Sequence, residues 1–134
     1  MLKCVLGYEQ GHTMILDVTI KSRNILDRLH WAEKRRLKQE YALLIRNQMR
    51  LGNYEEAKQK QFFTLEIVSW RKRLLDYDNL VGGCKQLIDA MIDENFIWDD
   101  SPKFLNLHVK QVKNTDPVRK KHKKFHNKTW IARY

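Results

Sequence analysis

The sequence predicts an α+β domain in which a mixed β-sheet carries two main helices packed on one face. Stretches of period-two alternation, such as Met14, Leu16, Val18 and Ile20, are interleaved with longer stretches of helical spacing. Their order is strand, helix, strand, helix, strand, strand, which suits helices gathered on one side of a sheet. The size agrees: 134 residues, 43% hydrophobic and 31% charged, make one globular domain over 1–134.

The first strand is expected over 14–20. Lys21-Ser22-Arg23-Asn24 breaks its pattern, and either Ser22 or Asn24 can cap a helix. From about 25 to 51 the spacing is helical, with Leu29, Leu37, Tyr41, Leu44, Ile45 and Met49 as the apolar stripe and Gly52-Asn53 as the stop. Its first half carries Arg23, Arg28, His30, Lys34 and Arg35, which is either a solvated face or a surface that contacts a nucleic-acid backbone. After a polar link over 55–60, residues 62–70 are aromatic and β-branched and predict a strand. Arg71 and Arg73 follow it as further candidate phosphate contacts. A helix is expected from Asn79 to Glu94, buried through Leu80, Cys84, Leu87, Ile88, Met91 and Ile92, with Asn95 as its left-handed end. Gly82-Gly83 within it mark the close approach of another backbone, nucleic acid or a neighbouring helix. Residues 103–113 alternate again, with Leu105, Leu107 and Val109 on one face, and 129–134 form a last strand.

The net charge of +10 is unevenly spread. Residues 101–134 hold ten basic residues against Asp116 alone, so +9 of it lies in the last quarter. Lys120, Lys121, Lys123 and Lys124 concentrate it in a basic loop over 114–127, expected to move freely without its partner. Such a region suits a phosphate backbone; the bland reading is a solubilising tail. No apolar run reaches the roughly 20 residues of a membrane span, and the N-terminus turns polar too soon for a secretory signal. Cys4 and Cys84 are expected as reduced thiols of a cytoplasmic protein.

Asp76 and Asp78 stand two residues apart at a strand-to-helix junction, so in extended chain both project to one side. Like charges so close favour a cation between them, and hard oxygen donors suit magnesium or manganese. Alternatively Asp78 or Asn79 caps the following helix, which leaves Asp76 unexplained. Lys85 is placed to reach a metal-held phosphate or to snorkel as an ordinary surface lysine. Asp99 and Asp100 follow Phe96-Ile97-Trp98, which should anchor their turn. No Ser/His/Asp arrangement, Cys-x-x-Cys set or Gly-rich phosphate loop accompanies them, and His122 and His126 lie among lysines.

Together Asp76-Tyr77-Asp78-Asn79-Leu80, Lys85, Asp89-Ala90-Met91 and Trp98-Asp99-Asp100 resemble the RusA family of Holliday junction resolvases. The likeness is close over about 70–113 and loose before it; Val81-Gly82-Gly83 stand as an apparent insertion, on whose placement the match of Lys85 depends. The resemblance implies a homodimeric, magnesium-dependent endonuclease of phage or bacterial origin that nicks four-way DNA junctions in recombination and repair, manganese being a candidate substitute. It implies Asp76, Asp78 and Asp100 as metal ligands and Lys85 as the catalytic lysine. The competing readings are a non-catalytic DNA-binding module, and the same metal chemistry on forks or flaps. A helix over 79–94 is about 24 Å long, while 95–100 reaches back at most about 20 Å. Asp100 therefore rejoins Asp76 in its own chain only if the helix is shorter or the return oblique; otherwise it meets the other subunit. A site within one chain is the first expectation.

Overall fold

A computed structural model describes residues 12–114 and 127–134. In chain order they form β1 (His12–Leu16), α1 (Arg23–Arg28), α2 (Trp31–Gly52), β2 (Phe63–Arg71), α3 (Tyr77–Gly83), α4 (Lys85–Asp93), β3 (Leu105–Lys113) and β4 (Lys128–Arg133). The fold is α+β. Its four-stranded mixed sheet has the order β1-β4-β2-β3, with β4 antiparallel to both neighbours and β2 parallel to β3.

Strand β2 organises the core. Phe63, Leu65 and Ile67 alternate inward and are buried, and Ser69 and Arg71 continue the same face. Against that face pack Leu37, Tyr41, Ile45 and Met49 of α2, and Leu87, Ile88 and Met91 of α4. The predicted stripe of the long helix is thus the buried one. Ion pairs Lys38–Asp93 (3.2 Å) and Arg46–Glu94 (2.8 Å) fasten the rims of these two helices.

Both predicted helices are broken in two. Leu29 and His30 are extended, separating α1 from α2, and each half has its own cap. The Ser22 hydroxyl accepts from the Ile25 N–H at 3.2 Å, and Nδ1 of His30 accepts from the Ala32 N–H at 3.2 Å. The second break is at Cys84. Just before it the packing is tight: a Cβ at Gly83 would come within 2.0 Å of the Lys21 carbonyl oxygen. The chain's own backbone, not nucleic acid, explains that glycine. The first strand also stops early, at Leu16, yet Ile20 stays fully buried. Asn53 (φ 52°) and Asn95 (φ 61°) take the left-handed conformations expected at the ends of α2 and α4.

Since β2 and β3 are parallel, α3 and α4 carry the chain from the carboxyl end of β2 back to its amino end. Arg71 pairs with Lys113 at one end of the ladder and Phe63 with Leu105 at the other.

Candidate metal and nucleic-acid site

Asp76 and Asp78 sit where β2 leaves the sheet, on a short segment held from beneath. The Gln111 side chain, on β3, accepts from the Leu75 N–H at 2.9 Å and donates to the Leu75 carbonyl at 2.7 Å, as a neighbouring strand would. Arg71 donates through Nε to the Arg73 carbonyl (2.7 Å), and through Nη1 to the Ile20 carbonyl (2.8 Å) and the Ser69 hydroxyl (3.3 Å). The turn over 72–75 therefore cannot slide, and Asp76 begins α3 at a defined point.

Asp76 occupies the N-cap position, but its carboxylate caps nothing. Asp78 lies in the first turn, and both residues are exposed. Among the described residues, neither carboxylate, nor those of Asp99 and Asp100, takes part in a hydrogen bond or ion pair. The capping alternative finds no support here: among the described residues, neither carboxylate accepts from a backbone N–H at this junction. They add to the favourable field at a helix start, an effect too small to require two acids.

Lys85 opens α4, seven residues after Asp78 in the chain. It is exposed and pairs with Asp89 at 3.6 Å, one turn on. Val81-Gly82-Gly83 close α3, and Cys84 alone separates them from Lys85. Asp99 and Asp100 follow Phe96 and Ile97, which are buried as expected, while Trp98, expected as a third anchor, is only half-buried.

Asp100, however, is at the other end of the sheet. The Ser101 carbonyl accepts from the N–H groups of Phe104 and Leu105, which ties this turn to the start of β3. Leu75 is tied to Gln111, six residues further along that strand, or about 20 Å away. The first expectation, a site completed within one chain, is corrected by this topology: a parallel crossover returns the chain to the amino end of the strand it left. Among the described residues no three His, Cys, Asp or Glu side chains converge as a metal site.

The basic residues divide. Helix α1 packs on α3, with the Arg23 side chain lying over Gly82 and pairing with Asp27 at 3.7 Å, which brings Arg23 and Arg28 beside the helix that bears Asp78. His30, Lys34 and Arg35 follow at the start of α2. Arg73 is exposed beside the aspartates. Arg71 is corrected: it is buried, with its guanidinium on protein carbonyls, and desolvation lowers its pKa. Lys120, Lys121, Lys123 and Lys124 of the basic loop lie outside the described residues. Gln111 was not foreseen; a polar residue continuing the face of Leu105, Leu107 and Val109 was the available signal. The chain matches no protein-family model and no curated protein.

Proposed function

We propose that this protein is a RusA-like, magnesium-dependent endonuclease that acts as a homodimer on four-way DNA junctions. The observation that carries the reading is the Asp76–Asp78 pair: two exposed carboxylates, without an ion pair among the described residues, on backbone fixed by Gln111 and Arg71. Their hard oxygens fit magnesium or manganese. Asp100 completes the donor set from a second copy, since its turn is tied to the start of β3 while Leu75, next to Asp76, is tied to Gln111 six residues further along that strand.

A bound magnesium ion would supply an activated water and neutralise charge on the scissile phosphate. The chain's own part is to hold carboxylates still, to bring cations to the phosphates and to shape the docking surface. Lys85 offsets charge on the phosphate once substrate competes it away from Asp89. Arg23, Arg28, Lys34, Arg35 and Arg73 hold the flanking backbone. A twofold dimer gives two sites, and so paired symmetric nicks.

The test is cleavage of labelled junctions, forks and duplexes with and without magnesium. Magnesium-dependent paired nicks in the junction, lost in Asp76→Asn with binding retained, support the reading. Preference for forks or flaps would change the substrate and keep the chemistry. Binding without any cleavage would leave a DNA-binding module.

A further inference from the structure

The most exposed aromatic residue near the candidate site is Trp31, the first residue of α2, at 67% exposure. An indole costs free energy when left in water, and nothing in the fold needs it there. Its neighbour His30 is fixed as the cap of α2, with its ring centre 5.4 Å from that of the indole. The two rings therefore stand at a rigid corner between α1 and α2 rather than on a floppy loop. Arg28 precedes the corner and Lys34 and Arg35 follow it by about one helical turn. Through the packing of α1 on α3, the corner is continuous with the helix that carries Asp78.

An exposed indole with cations three or four residues away on either side in the chain suits a base that is free to stack, with its phosphates held nearby. Continuous duplex offers no such base, because its faces are already stacked. A branch point does, where pairs open at low cost. We propose that Trp31 is a stacking platform for an unpaired base at the branch point, so that the protein senses the junction through the base while the cations hold the backbone. This rests on the nuclease reading only for the choice of branched DNA.

The test is a four-way junction with 2-aminopurine at the branch point, bound without magnesium by the wild-type protein, Trp31→Ala and Trp31→Phe. The wild type and Trp31→Phe should change the probe's fluorescence. Trp31→Ala should lose that change and roughly 10-fold in junction affinity, with duplex affinity and thermal melting unaltered. An unchanged probe response in Trp31→Ala, or equal weakening on junction and duplex, overturns the proposal. Cleavage by the wild type is scored separately: a Trp31-dependent probe response without cleavage removes the nuclease reading alone. Cleavage with a Trp31-independent response removes this one alone.

Discussion

At the amino end of β2 the guanidinium of Arg133 is buried, donating to the carbonyls of Phe96 (2.6 Å) and Glu55 and lying against the rings of Phe63 and Phe96. Burial pulls its pKa down to about 10. At the carboxyl end of the same strand Arg71 is also buried on carbonyls, but it supports a segment whose own charges, Asp76 and Asp78, are exposed and have no partner among the described residues. One end spends its charge inside the fold; the other holds charge out, on braced backbone. Substitutions should therefore cost stability at the first end and activity at the second.

The largest expected effect is on catalysis. Asp76→Asn or Asp78→Asn should lower magnesium-dependent junction cleavage about 100-fold or more, while urea unfolding shifts by no more than about 0.5 kcal/mol. Arg133→Leu should do the reverse in kind. It leaves the Phe96 and Glu55 carbonyls unpaired and should cost about 2–5 kcal/mol in the same unfolding experiment. If Asp76→Asn unfolds the protein as readily as Arg133→Leu, the distinction between the ends fails.

Smaller effects sharpen it. In Gly83→Ala the new methyl meets the Lys21 backbone and should cost about 1–3 kcal/mol. In Gly82→Ala it meets the Arg23 side chain, at 2.6 Å from Cδ and 3.0 Å from Cβ, so displacing that side chain offsets the helix-propensity gain of up to about 1 kcal/mol and the variant should cost less than Gly83→Ala. Thermal melts of the pair test that order. Burial also pushes the Cys84 thiol up from 9.0 to about 12. The stability this contributes is complete below pH 9 and is lost as pH rises toward 12. In a Cys4→Ser background, Cys84 should therefore react with a thiol reagent at neutral pH only after unfolding; prompt reaction would contradict its burial.

Much of this was legible in the sequence, for local reasons. Aromatic and β-branched content located β2, period-two alternation located β3, the apolar stripe located α2, and Asn53 and Asn95 marked helix ends. Arg71 was misread as a phosphate contact, although it continues the inward series Phe63, Leu65, Ile67 and Ser69. The helix breaks depend on more than periodicity. His30 is a cap in place of a helical residue, and Gly83 answers to Lys21, far away in sequence. The acidic pair and the motif around it were visible as residue types; that Asp100 lies at the opposite end follows only from the parallel pairing of β2 with β3.

That separation is tested most directly by mixing Asp76→Asn with Asp100→Asn subunits and assaying junction cleavage. Each variant alone should be inactive. If Asp100 of one copy completes the Asp76–Asp78 site of the other, a mixed dimer retains one intact site and nicking returns on mixing. A mixture of exchanged dimers as inactive as its parts would contradict the shared site and return Asp100 to its own chain.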